Sequence, residues 1–160
     1  MTGLINLDHL AGHSDAIRSL RQLRATNGCF DVLHPGHVRF LQACNPAGER
    51  GNLLVVGLNS DESVRRLKGE GRPIINQYDR ADMLLALRPV NAVCIFNDRT
   101  AEQFLRAVRP AIWYKGGDYT EETLDAGERE AVRLHGGRII ILARRDEYST
   151  TKLVEAIARR

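Results

Sequence analysis

Cysteine is scarce and odd in number. Cys29, Cys44 and Cys94 stand far apart with no CxxC pair. That excludes a disulfide framework and makes a reducing, cytoplasmic setting the expected one. Long apolar runs are missing as well; residues 53–58 are among the longest, far short of the ~20 a membrane span needs. The opening residues carry no cationic segment followed by an apolar one, so no secretory leader is expected. Neither GxxxxGK[ST] nor GxGxxG occurs, which removes the main support for P-loop and dinucleotide-type readings. Internal repeats, low-complexity tracts and Ser/Gly linkers are absent too. What is there is 160 residues, 43% of them hydrophobic. A chain of that size is expected to form one domain, 1–160, burying about 70% of its unfolded surface.

The net charge is +3, and its placement is more telling than its size. Residues 138–160 hold six basic residues (Arg138, Arg144, Arg145, Lys152, Arg159, Arg160) against three acidic ones (Asp146, Glu147, Glu155), so the whole excess lies there. A polyanion, an anionic surface, a small phosphorylated ligand or a plain solvated helix end would each fit. A single aromatic residue, Tyr148, stands among these cations, short of the interleaved pattern of a nucleic-acid site, so neither nucleic acid nor membrane is the expected partner.

Short, continuously apolar segments at 23–27, 53–58, 92–96, 111–114 and 138–142 read as strands buried on both faces of a parallel sheet. Helical patterns fall between them at 36–44, 61–67, 78–87, 101–108 and 126–135, with a last helix at 150–158. Residues 8–22 read as one more helix with Ile17, Leu20 and Leu23 as its stripe, so 1–22 is expected to be a helical extension of a core spanning 24–158. Alternating strands and helices predict an α/β doubly wound parallel sheet of about five strands, with helices on both faces. Ligands of such sheets bind beyond the carboxyl ends of the strands.

The segment after the first strand, Thr26-Asn27-Gly28-Cys29-Phe30-Asp31-Val32-Leu33-His34-Pro35-Gly36-His37, is the richest in chemistry. Gly28 allows close approach of backbone to a ligand, Pro35 suits the first turn of a helix, and Gly36 leaves room above its N-terminus. His34 and His37, three apart, face one point near that N-terminus, where free N–H groups favour phosphate. Two capping histidines are the plain alternative. A metal site is not expected, because Cys29 and Cys44 lack standard ligand spacing.

Further along, Lys68 and Arg72 flank a loop containing Gly69 and Gly71, which bare sequence reads as solvated surface. Arg80 is a lone charge in an apolar helix and reads as exposed. Lys115-Gly116-Gly117-Asp118-Tyr119 closes a strand with glycines that would let a base or ribose pack on bare backbone. Ser149 is a natural N-cap, but Lys152 stands where a capping box needs Glu or Gln, leaving N–H groups for an anion.

Residues 26–37 resemble the HxGH signature of the nucleotidyltransferase superfamily, and more narrowly the TNGCFDxLHxGH form of heptose 1-phosphate adenylyltransferases. The later segments are similar to that family's RLKGxxRP, KGGDY and STT motifs in the same order, over roughly 24–158. The resemblance implies a Rossmann-like fold and transfer of a nucleoside monophosphate, AMP by preference, to D-glycero-β-D-manno-heptose 1-phosphate. It implies His34, His37 and Lys68 as catalytic residues. It places the nucleotide on Thr26, Asn27, Gly28, Cys29, Phe30, Gly36, Lys115, Gly116, Gly117, Asp118, Arg144, Ser149, Thr150 and Thr151, and the acceptor on Asp31, Asn59, Asp61, Arg72 and Arg80. It further implies Mg²⁺ held mainly by the nucleotide phosphates, a homodimer, and a separate sugar kinase and phosphatase acting before and after. Glu147 departs from the usual glycine, and Arg144 matches the cytidylyltransferase form. A CTP-dependent enzyme for glycerol 3-phosphate or a related phosphate therefore stays open, as does a non-catalytic nucleotide sensor.

Overall fold

The computed structural model describes residues 3–20, 22–46, 51–117, 119–143 and 159. In chain order the elements are β1 (Gly3–Ile5), α1 (Leu7–Leu20), β2 (Gln22–Gly28), α2 (Pro35–Cys44), β3 (Asn52–Asn59), α3 (Asp61–Lys68), α4 (Gln77–Leu85), β4 (Ala92–Phe96), α5 (Glu102–Val108), β5 (Ile112–Gly116), α6 (Ala126–Arg133) and β6 (Arg138–Leu142). All pairings are parallel, in the order β1-β4-β3-β2-β5-β6. The Rossmann-like α/β sheet thus has six strands rather than about five.

The extra strand lies where a helical extension was expected. Gly3, Leu4 and Ile5 pair with Ala92, Val93 and Cys94, making the chain's start an edge strand of the main sheet. Three residues are too few to display a period, which is why the pattern did not register. Leu23, assigned above to the stripe of α1, belongs to β2 and is fully buried. The helix expected at 150–158 lies outside the described residues.

Residues along β3 alternate between two cores. Leu53 and Val55 join Leu10, Phe104, Leu105, Trp113 and Val132 on one face, against α1, α5 and α6. Leu54, Val56 and Leu58 join Leu41, Ala81, Leu84 and Tyr114 on the other, against α2 and α4. Burial on both faces is the reason these strands read as continuous apolar runs. Among the described residues no helix is long and apolar enough to cross a membrane.

The sheet order also fixes where a ligand belongs. From β2 the chain proceeds outward through β3 and β4 on one side, and through β5 and β6 on the other. The carboxyl ends of β2 and β5 therefore flank a topological switch point, where loops part and leave a crevice.

Candidate active site

A cavity of about 1070 Å³ opens there. Its walls take in Asn27 to Asp31 from the end of β2, Gly36 and His37 from α2, Asn59 and Lys68 around α3, and Lys115 to Gly117 from the end of β5. Twelve of the expected site residues thus meet in one space although they are up to 90 positions apart in the chain.

The histidine pair divides its work. His34 is the N-cap of α2, and its Nδ1 accepts from the His37 amide at 3.4 Å. An accepting Nδ1 places the proton of the neutral ring on Nε2. The two rings stack with centroids 3.7 Å apart and planes at 20°, and Phe30 lies 5.2 Å from the His37 ring. His37 lines the cavity; His34, which is not among the lining residues, caps the helix and buttresses His37. Of the two histidines of the motif, His34 thus takes the capping place and His37 the cavity wall.

Phe30 has φ +44, in the left-handed region that a bulky side chain rarely enters. That turn folds its ring over Gly28, whose Cβ would come within 3.2 Å of Phe30 Cε2. The room left at Gly28 is thus taken by a protein side chain instead of a ligand. Gly116 follows the same rule: its Cβ would meet Phe40 Cε2 at 2.9 Å. Gly117 differs, with φ +106 and open space beyond, so bare backbone faces the cavity at this glycine.

Several expected acceptor residues bond to one another. Asp31, almost fully buried, accepts from Arg72 at 2.7 Å and from the amides of Ile74 (2.7 Å) and Ile75 (3.2 Å). Burial alone would raise its pKa. The Arg72 guanidinium and the two amides outweigh that and hold the carboxyl below its ordinary range. Arg80 is no exposed charge. It is fully buried, its Nε donating to the Ile75 carbonyl at 2.9 Å and its two terminal nitrogens to the Cys29 carbonyl and to Asp61 Oδ1, the latter at 2.7 Å. Arg80 thus braces the motif loop from beneath. Asp61, Arg72, Arg80 and the fully buried Thr26 are not among the lining residues. Asp118, Arg144, Ser149, Thr150 and Thr151 lie outside the described residues.

Lys68, the last residue of α3, is exposed and lines the cavity. Lys115 is its opposite. Its Nζ lies 3.3 Å from Asn27 Oδ1 and 3.7 Å from Glu128 Oε2, over the rings of Trp113 (5.0 Å) and Tyr119 (5.3 Å). Burial pulls its pKa below the ordinary lysine range, and Glu128 offsets this only in part. Burial likewise pushes the Cys29 thiol up, against nearby Lys68 and Arg80. All three cysteines are free thiols.

A family model described as cytidylyltransferase-like matches residues 25–156. The chain belongs to the cytidylyltransferase-like family, a family of nucleotidyltransferases. It is 46% identical over 153 residues to a bifunctional protein HldE of Geobacter sulfurreducens, covering 95% of this chain and 30% of that one. An HldE of Rhodopseudomonas palustris is 48% identical over 130 residues, or 81% of this chain and 26% of the relative. The chain thus spans about a third or less of the curated relatives it matches. Among solved structures, a lipopolysaccharide core biosynthesis protein of Thermoplasma volcanium aligns with TM-score 0.59 and 24% identity, over 79% of this chain and 98% of that one. A pantoate-beta-alanine ligase of Francisella tularensis gives the same TM-score at 10% identity, over 98% of this chain and 76% of its own, which speaks for the fold alone.

This cytidylyltransferase-like cavity also has walls that sequence reasoning missed. Arg39, Phe40, Arg99, Tyr119, Asp125 and Glu128 line it. Arg99 lies three residues past the end of β4, so the strand-end rule would have flagged it. Glu128 was hidden because Asp125-Ala126-Gly127-Glu128 reads as an ordinary capping box. Among the described residues no three His, Cys, Asp or Glu side chains group as a metal site.

Proposed function

We propose that this chain transfers a nucleoside monophosphate, AMP by preference, from its triphosphate to D-glycero-β-D-manno-heptose 1-phosphate. The observation that carries the proposal is the meeting of His37, Lys68, Lys115 and the α2 N-terminus around one cavity at the switch point. An acceptor phosphate oxygen forms the new bond to the α-phosphorus, the α–β bridging bond breaks, and pyrophosphate leaves. Such a reaction needs alignment and charge neutralisation and no protein nucleophile. His37, held by His34, donates to the α-phosphate; Lys68 neutralises the incoming or transferred phosphate. The nucleoside packs by Gly117 and Phe40, and Arg144 with the 149–151 segment holds the leaving group. Asn59 and the Asp31–Arg72 pair shape the acceptor side, while Asp61 and Arg80 keep the loop in place.

Magnesium fits here as a passenger on the triphosphate, whose oxygens supply its ligands and whose charge it reduces. The described walls offer Arg39, Lys68, Arg99 and Lys115 beside the carboxylates of Asp31, Asp125 and Glu128. The likeness to HldE proteins and the KGGDY segment favour the heptose reading; the cytidylyltransferase-like family and Arg144 favour testing CTP beside ATP. The homodimer, the upstream kinase and the downstream phosphatase belong to the same proposal.

Replacing His37 or Lys68 with alanine is expected to lower kcat about 10²–10³-fold with the fold retained. Near-normal turnover in both purified variants would remove the assigned roles.

A further inference from the structure

We infer that Glu128 is a positioning residue: it holds the Lys115 ammonium, charged, at the mouth of β5 where the transferred phosphate would pass. The kinetic part of this inference rests on the transfer reaction proposed above; the geometric part does not.

In a capping box the acidic residue at the third helical position reaches back to the N-cap amide. Asp125 does its share here, accepting from the Glu128 amide at 3.1 Å. Glu128 instead turns outward. Its Oε1 accepts from the Ala101 amide at 2.8 Å, at the N-cap of α5, which has no side-chain cap of its own. Its Oε2 points to Lys115 Nζ at 3.7 Å. One carboxylate therefore ties α6, α5 and β5 together at the cavity wall, with both charged partners largely shielded: 8% exposure for Glu128 and 12% for Lys115.

A buried ammonium with so little solvent needs a fixed partner to remain charged. Facing Lys115 are Glu128 and Asp125 from α6 and its cap, and Cys29 from the β2–α2 loop. Lys68, His37 and Arg99 share the cavity from α3, α2 and the β4–α5 loop. Trp113 and Tyr119 supply ring faces, and Asn27 an acceptor. Among these, Glu128 makes the shortest ionic contact. Its other oxygen is held by the Ala101 amide at 2.8 Å, which fixes the carboxylate beside the lysine.

The two oxygens allow the structural and electrostatic roles to be separated. In Glu128→Gln the amide oxygen still caps Ala101, but the charge facing Lys115 is gone. Glu128→Ala loses both, and Glu128→Asp keeps charge at a shorter reach. The test follows the Lys115 side-chain NMR signal through a pH titration in the full chain, assigned with Lys115→Arg, beside thermal melts and pyrophosphate-release pH profiles. Glu128→Gln is expected to melt close to the parent while Lys115 titrates at lower pH. The alkaline limb of kcat should move to lower pH with it, and kcat at its alkaline end should fall about tenfold. Glu128→Asp should recover part of both shifts. A Lys115 titration unchanged in both Glu128→Gln and Glu128→Ala would overturn the inference, as would an unmoved pH profile in an active Glu128→Gln. If the parent protein releases no pyrophosphate with any substrate pair, the transfer reading fails, while the Lys115 titration still decides the role of Glu128.

Discussion

Arg80 offers the sharpest contrast between a bracing role and a direct ligand role. Its buried guanidinium serves three acceptors: the Ile75 carbonyl, the Cys29 carbonyl and Asp61. Arg80→Met keeps much of the side-chain volume and removes every donor. Asp61 is 25% exposed at its side chain and can regain water. Because the Arg80 side chain is fully buried, methionine in its place leaves the Cys29 and Ile75 carbonyls facing an apolar group, and each buried acceptor left unmade costs about 1–3 kcal/mol. With the lost ionic contact, destabilisation on the order of 3–5 kcal/mol is expected. For a domain of this size each kcal/mol lowers Tm by about 2–4 °C, so the drop should be roughly 6–20 °C. Because the Cys29 carbonyl sits in the motif loop, turnover should fall as well, with kcat affected more than KM. Urea unfolding and thermal melts, paired with steady-state kinetics, measure both. An Arg80→Met protein as stable as the parent, with only acceptor KM raised, would refute the brace and restore direct acceptor contact.

Two glycines should respond differently to alanine. At Gly57 the new Cβ would lie 2.7 Å from the fully buried Phe104 ring, so Gly57→Ala is expected to cost about 1–3 kcal/mol, read in a melt. At Gly116 the clash is with the half-buried Phe40, which can yield into the cavity; a smaller Tm change with nucleotide KM raised about tenfold is expected from kinetics. Asp31 contributes to the loss of stability in acid. Its folded pKa lies below the unfolded value, so its stabilisation is complete above the ordinary carboxylate range near ~4 and is lost as pH falls through the folded value. Asp31→Asn should therefore flatten the acid limb of a urea-midpoint profile between about pH 7 and pH 2.5 while lowering the neutral plateau.

The parts of the fold visible in sequence were those set by local pattern. The strand at 92–96 and the strand at 138–142 appear with the bounds read from their apolar runs. Ser60 caps α3 as its residue type suggests, accepting from the Ser63 amide. What stayed hidden depends on contacts between distant segments. Gly3–Ile5 becomes a strand only because β4 offers a free edge. Arg80 looks like any helix-surface cation until Cys29, 51 positions away, is placed beside it. Likewise Gly28 and Gly116 announced open backbone, but Phe30 and Phe40 occupy that space. The site's loop chemistry was legible because HxGH is contiguous; its far wall at Glu128 was not, because helix capping explains the same residues.

Nucleotidyl transfer to a sugar phosphate at the switch-point cavity is the reaction proposed for this chain. Phosphorus NMR of the purified chain with ATP or CTP, each crossed with heptose 1-phosphate or glycerol 3-phosphate, tests it most directly. Pyrophosphate and a nucleoside diphosphate heptose are expected, fastest with ATP and heptose 1-phosphate and about 10²–10³-fold slower in Lys68→Ala. Nucleotide binding with no pyrophosphate in any of the four mixtures would contradict it and leave a nucleotide-binding protein without transferase activity.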